Sequence, residues 1–170
     1  MTTKPRQAAP PLRFDLVEGG AWNLGDTKPE TFQMVVAYRG LHCPVCKTYL
    51  NDLEAKLPEF AKRGVDVVAV SMDSRERAEK AKSEWGLKNL KLGCELSAAS
   101  AREWDLYISK SIREGEPAEF SEPGLFLIKP DGSIFFASRT SAPWGRPPLD
   151  HMLRGIDVAT ERKMPARGEA

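Results

Sequence analysis

The sequence is poor in the features that mark several large classes of protein. Its 170 residues contain three cysteines, too few for a disulfide framework. Neither sign of charge is in excess: 25 Lys and Arg stand against 24 Asp and Glu. A formal net charge of +1 offers no basic field to a phosphate backbone, so no nucleic-acid partner is expected. Long apolar runs are missing as well. Phe32–Tyr38, Val65–Val70 and Leu125–Ile128 are the most apolar stretches, each far short of the roughly 18 residues that span a bilayer, and charged residues flank all three. Residues 1–15 carry Lys4, Arg6 and Arg13 without an apolar core, and Pro5, Pro10 and Pro11 interrupt them. A signal peptide and a membrane partner are therefore not expected, and a cytoplasmic location is.

What is present suits one α/β domain. Hydrophobic residues make up 41% and charged residues 29%, close to the globular average, and no internal repeat or low-complexity block divides the chain. Residues 1–11 read as a flexible lead-in and 161–170 as a flexible tail, leaving 12–160 for the fold. Phe32–Tyr38 is short, apolar and rich in β-branched residues, which predicts a buried central strand. Beyond Cys46, the apolar positions Tyr49, Leu50, Leu53, Leu57 and Phe60 recur at helical spacing. Pro44 suits the start of that helix, and Pro58 predicts a kink or an end in its fourth turn.

Val65–Val70 predicts a second buried strand, and Asp73 with Glu76 three residues on predicts the opening of a charged helix that Gly86 closes. Leu90–Leu92 reads as a short strand and Ala98–Tyr107 as a short helix. Pro130-Asp131-Gly132 between two apolar runs predicts a hairpin, and Leu149, Met152, Leu153 and Ile156 share the face of a last helix. This order of elements describes a sheet covered by helices on both faces.

The chemistry-bearing residues are Tyr38-Arg39-Gly40-Leu41-His42-Cys43-Pro44-Val45-Cys46, at the passage from the first central strand to a helix. A thiolate there meets unpaired N–H groups and the positive end of the helix dipole, and Arg39 adds to that field unless it pairs with a carboxylate such as Glu18. The Cys-x-x-Cys spacing lets one thiol resolve a bond formed on the other. Zinc would need two more ligands from Cys94, His42 and His151, so neither a metal nor an organic cofactor is expected. Cys94 reads as a buried free cysteine and His151 as a surface residue. His42 is either a group that tunes Cys43 or a plain surface residue.

His-Cys-Pro-x-Cys between strand and helix, followed by Glu122-Pro123-Gly124-Leu125-Phe126-Leu127-Ile128 before a hairpin, resembles the thioredoxin superfamily over most of residues 15–159. More narrowly, Tyr38-Arg39-Gly40 before Cys-Pro-x-Cys and Gly145-Arg146-Pro147 before the last helix resemble the peroxiredoxin-like branch of the AhpC/TSA group. The resemblance implies a thioredoxin-like fold, with a central mixed β-sheet, a C-terminal hairpin and helices on both faces. It implies a thiol oxidoreductase that reduces hydroperoxides through a dithiol/disulfide cycle of Cys43 and Cys46. The oxidised pair would be reopened by an external thiol reductant such as a thioredoxin or glutathione system.

It further implies that Pro123 is a cis-proline packed beside the sulfurs and that Arg146 supports the site, with its neighbour Trp144 lining it. The sequence departs from the peroxiredoxin pattern Pro-x-x-x-Thr-x-x-Cys. Cys46 holds the Cys position, but Cys43 stands for Thr, Arg39 stands for Pro, and Pro123-Gly124 stands where a later-strand arginine belongs. Which sulfur attacks stays open, with the family matches of Arg39 and Arg146 inclining toward Cys46. Two other readings remain. One is a thioredoxin-like reductase of protein disulfides; the other is a binding or adaptor module whose cysteines are silent. Monomer and homodimer are both compatible with the sequence.

Overall fold

A computed structural model describes residues 3–170. Seven strands form one mixed sheet in the order β2-β1-β5-β4-β3-β8-β9. Their ranges are β1 (Arg13–Leu16), β2 (Ala21–Asn23), β3 (Phe32–Ala37), β4 (Val65–Val70), β5 (Lys91–Cys94), β8 (Gly124–Ile128) and β9 (Ile134–Arg139). The three inner strands β3, β4 and β5 run parallel, as the intervening helices α1 (Pro44–Lys62) and α2 (Arg75–Trp85) require. Antiparallel pairs close both edges: β8 and β9 beside β3, and the β1–β2 hairpin beside β5. A separate two-stranded ribbon, β6 (Ile108–Lys110) with β7 (Glu119–Ser121), lies outside this sheet.

Alternation along the central strand divides the core in two. Phe32, Met34, Val36 and Tyr38 point to the face covered by α1, α2 and α4 (Leu149–Glu161), where they meet Leu50, Leu53, Phe60, Trp85, Met152 and Ile156. Val35 and Ala37 point to the other face, toward Phe14, Trp22, Trp104 and Phe126, beneath α3 (Ala98–Glu103). The expected thioredoxin-like layering is thus present, with a single six-residue helix on the second face.

Three local expectations are corrected. Pro58 neither ends nor replaces the fourth turn of α1, which continues to Lys62. The proline is exposed, so the carbonyl it leaves without a partner can turn to water. The cap of α2 is Ser74, whose hydroxyl accepts from Arg77 N at 3.3 Å, because Asp73 is buried one residue earlier and spends its carboxylate elsewhere. Every peptide bond among the described residues is trans, Pro123 included. With the extended trans chain, Glu122 N donates to Tyr107 O at 2.7 Å and Pro123 O accepts from Thr140 N at 3.1 Å, so both neighbours of the bond are satisfied without the less favoured isomer.

The chain termini are tied to the hairpin end of the sheet. Ala8 bridges to Ser133, Arg6 N donates to Ile134 O at 2.8 Å, and Arg6 Nε donates to Ala166 O at 2.9 Å. Met1 and Thr2 of the lead-in lie outside the described residues. No helix among the described residues is long and apolar enough to cross a membrane.

Candidate active site

The site forms where β3 hands over to α1. Cys43 is the N-cap of the helix, in extended conformation (φ −106°, ψ 102°), and Pro44 follows at the first helical position, where its missing N–H costs nothing. A sulfur does here what a Ser or Asp side chain does elsewhere: Cys43 Sγ accepts from Cys46 N at 3.2 Å. Both cysteines are free thiols buried in the same cluster as Leu50 and Leu53, Cys43 at 1% exposure and Cys46 at 0%.

Buried carboxylate chemistry holds the approach to the helix. Gly40 adopts φ +137°, and a Cβ there would stand 2.7 Å from Asp73 Oδ2, so the loop admits only glycine. Asp73, with no exposed side-chain surface, accepts from Leu41 N at 2.8 Å through Oδ2 and from Arg77 Nε at 3.0 Å through Oδ1. The turn that presents Cys43 is therefore pinned to the start of α2.

Two arginines flank the sulfurs. Arg146 Nη2 donates to Cys46 Sγ at 2.7 Å, while its Nη1 donates to Pro143 O at 2.6 Å and its guanidinium lies 5.1 Å over the Tyr49 ring. Tyr49 in turn donates its hydroxyl to Pro147 O at 2.7 Å, which ties the Arg146 loop to α1. Arg39 sits on the other side, 4.8 Å over the Phe120 ring, with its Nε 3.1 Å from Glu122 Oε2. Its side chain reaches the Cys43 sulfur.

These neighbours separate the two thiols. The Cys46 thiol donates to Cys43, and Cys46 N–H, Arg39 and Arg146 add to it, so that against the cost of burial Cys43 is pulled down to about 6. Cys46 moves the opposite way: burial, with the Cys43 thiolate beside it, pushes its thiol well above the ordinary range despite Arg146. The capped helix end thus favours the thiolate at Cys43 and the thiol at Cys46. Burial and Arg39 lower the His42 imidazole below its usual value, and its ring stacks edge-on against Phe120 at 4.6 Å with neither nitrogen hydrogen bonded.

Of the residues singled out from sequence, Cys43, Cys46, Arg39, His42 and Arg146 come together. Trp144 does not join them: it is 81% exposed, turned to solvent while its neighbour Arg146 turns inward. Pro123 is buried just before β8, and the side chain this segment sends to the site belongs to Glu122. Glu18 pairs with Lys82 at 2.6 Å, far from the role of Arg39 partner. Cys94 is buried, with its thiol donating to Asp15 O at 3.5 Å.

Sequence reasoning missed Glu122, Phe120, Ser109, Tyr49 and Asp73 as site residues. Tyr49 stood out only as part of a helix face and Asp73 only as a helix opener, while Glu122 left its trace as a lone carboxylate adjoining the apolar run of β8. Among the described residues no group of three or more His, Cys, Asp or Glu side chains is gathered that could hold a metal ion.

Residues 5–137 match the family model of the AhpC/TSA family. Solved structures resemble the whole architecture. A serine-for-cysteine mutant of peroxiredoxin 6 from Arenicola marina is similar with a TM-score of 0.77 at 20% identity, covering 94% of this chain and 74% of that one. The reduced 2-Cys peroxiredoxin of Plasmodium vivax gives 0.77 at 18% identity, over 95% and 84%. The bacterioferritin comigratory protein of Xanthomonas campestris, described for its alkyl peroxide reduction activity, gives 0.69 at 24% identity, over 86% and 90%. No curated protein sequence matches.

Proposed function

The chain belongs to the AhpC/TSA family, and from that premise we propose that it is a thiol peroxidase that reduces hydroperoxides by cycling Cys43 and Cys46 between dithiol and disulfide. One observation carries the reading, against the inclination toward Cys46: Cys43 Sγ caps α1 and accepts from Cys46 N at 3.2 Å, while Cys46 lies deeper, its sulfur 2.7 Å from Arg146 Nη2.

In the first step the Cys43 thiolate attacks the terminal oxygen of ROOH and the O–O bond breaks. The leaving alkoxide takes the proton of the Cys46 thiol and departs as ROH, leaving Cys43 as a sulfenic acid and Cys46 as a thiolate beside the Arg146 guanidinium. In the second step Cys46 attacks the Cys43 sulfur; the S–S bond forms, the S–O bond breaks, and hydroxide leaves as water with a proton from solvent. The peroxide has gained two electrons and the dithiol has lost two. An external dithiol or glutathione then reopens the disulfide, consistent with a reducing cytoplasm as the place of work. The alkyl peroxide activity described for the Xanthomonas campestris relative supports hydroperoxides as the substrate class.

Reduction of protein disulfides is the second reading, favoured by the departures from the peroxiredoxin pattern at Cys43 and at Pro123-Gly124. A sulfenic-acid probe after a stoichiometric peroxide pulse tests the first. Cys46→Ser is expected to carry the label on Cys43, and Cys43→Ser to carry none. Label on Cys46 of the Cys43→Ser protein would reverse the order of attack. No label on either, with rapid reduction of insulin, would replace peroxidase by disulfide reductase.

A further inference from the structure

Beyond the two cysteines and their arginines, one buried charged side chain at the site has been given no role. Glu122 is 3% exposed, between the β7 ribbon strand and β8. Its Oε1 accepts from Ser109 Oγ of β6 at 2.6 Å, and its Oε2 lies 3.1 Å from Arg39 Nε, in a contact whose direction is too poorly aligned to be a hydrogen bond. Burying a carboxylate costs several kcal/mol unless it is paired, so a chain that keeps one here has it engaged with the cation it faces. That cation is itself committed. Arg39, 14% exposed in its side chain, spreads over the Phe120 ring, and its backbone and side chain reach the two sulfurs separately, the N–H toward Cys46 and the guanidinium toward Cys43.

We propose that Glu122 is a positioning residue of the dithiol site: anchored by Ser109, its carboxylate holds the Arg39 guanidinium between the Phe120 ring and the Cys43 sulfur. The inference rests on the reading of Cys43 as the attacking thiolate. It assigns a task to the β6–β7 ribbon, which stands apart from the main sheet and supplies Ser109, Phe120 and, one residue on, Glu122. It also explains how Arg39 serves where the peroxiredoxin pattern has proline. A guanidinium on a loop after a strand loses much by being fixed, and here an ion pair below and an aromatic face beside it fix it in advance.

A carboxylate near a thiol also acts directly, by repelling the thiolate, and this opposes the positioning effect. The charged and titratable groups facing Cys43 are Arg39, Cys46 and Arg146, and those facing His42 alongside it are Arg39, Asp73, Glu116 and Arg77. The two effects of Glu122 have opposite signs on the same observable, so variants of different shape separate them. Glu122→Gln keeps an acceptor for Arg39 and Ser109 while removing the charge. Glu122→Ala removes both.

The experiment is the pH profile of iodoacetamide alkylation of the reduced full chain, read by peptide mass spectrometry so that Cys43 and Cys46 are followed separately. It covers wild type, Glu122→Gln, Glu122→Ala, Arg39→Met and the Glu122→Ala/Arg39→Met double variant, each with a thermal melt as a check on folding. Positioning predicts that Glu122→Ala raises the Cys43 midpoint, by less than Arg39→Met does because the repulsion is lost with the carboxylate, that the double variant raises it no further than Arg39→Met alone, and that Glu122→Gln raises it less than Glu122→Ala. A Glu122→Ala midpoint at or below the wild-type one overturns the proposal in favour of simple repulsion. Full additivity in the double variant overturns it in favour of an action that bypasses Arg39. Should Glu122→Ala fail to fold, the comparison of Glu122→Gln with Ser109→Ala decides: positioning requires both to raise the midpoint, and no rise in either refutes it. Low-pH alkylation of wild type at Cys46 in place of Cys43 would instead sink the underlying order of attack, and the proposal with it.

Discussion

Replacing Cys46 by alanine tests the electrostatics of the site at its strongest point. Cys46 is fully buried and donates its thiol proton to Cys43, the largest of the effects that bring Cys43 down to about 6. At pH 7 a thiol of that value is about nine-tenths ionised, whereas one at the ordinary value of about 8.5 is about 3% ionised, a ratio of about thirty. Cys46→Ala should therefore move the alkylation midpoint of Cys43 upward, because burial is then opposed only by the N–H of residue 46, Arg39 and Arg146. The rate at a single pH is a poor guide. A more basic thiolate is also a better nucleophile, with a Brønsted slope of about 0.4–0.5, so a rise of about two units returns roughly tenfold in intrinsic reactivity and masks most of the lost ionisation. The midpoint of the full profile is the diagnostic quantity. Alanine is preferred to serine because a hydroxyl could go on donating. A wild-type midpoint near 8.5 would refute the electrostatic account outright; a mutant midpoint still near 6 would show that the arginines and the helix terminus suffice without Cys46.

The same pair gives the reduced protein a pH optimum of stability. Cys43 binds fewer protons folded than unfolded between about 6 and 8.5, so its share of stability, on the order of 3 kcal/mol at most, grows as pH rises through that window; above 8.5 the unfolded chain ionises Cys46 while the folded one does not, and stability falls. Thermal melts of reduced wild type against Cys43→Ser should show a steeper rise in wild type, since the lowered His42 adds a rise near pH 6.5 to both. Peptide mapping after peroxide should find a Cys43–Cys46 disulfide and a free Cys94. Gly40→Ala should cost more than the ~1 kcal/mol of an ordinary glycine replacement, since its Cβ would strike Asp73 at φ +137°, and should slow peroxide turnover with it. Leu53→Ala, at a position with no exposure, should lower stability by about 2–5 kcal/mol in denaturant titrations. Trp144→Ala should leave the Cys43 midpoint unmoved.

Periodicity made the inner layer of the fold legible. β3, β4 and the β8–β9 hairpin are long, apolar and bounded by turn residues, and α1 shows an unbroken stripe from Tyr49 to Phe60. The β1–β2 hairpin and the β6–β7 ribbon left no such trace, because strands of three or four residues carry too few alternations to stand out, and their pairing is fixed by tertiary contact. At the site, the residues adjoining the cysteines along the chain were visible and those contributed from a distance were not. Asp73 looked like a helix cap because its spacing to Glu76 fits one, and only the fold shows that its carboxylate turns inward to Leu41 and Arg77. Trp144 was drawn to the site by adjacency to Arg146, yet neighbours in an irregular loop need not face the same way.

Because Cys43 and Cys46 share one buried cluster with Leu50, Leu53 and Phe60, the redox couple is built from the same material as the hydrophobic interior. An engineer who repacks that interior for heat resistance would at the same moment be adjusting an electrode. A bulkier residue at position 50 or 53 would strain the packing around the two sulfurs, and so would shift the couple's potential together with the melting temperature. In this chain, selection for robustness and selection for electron chemistry act on one set of side chains and are not free to proceed independently.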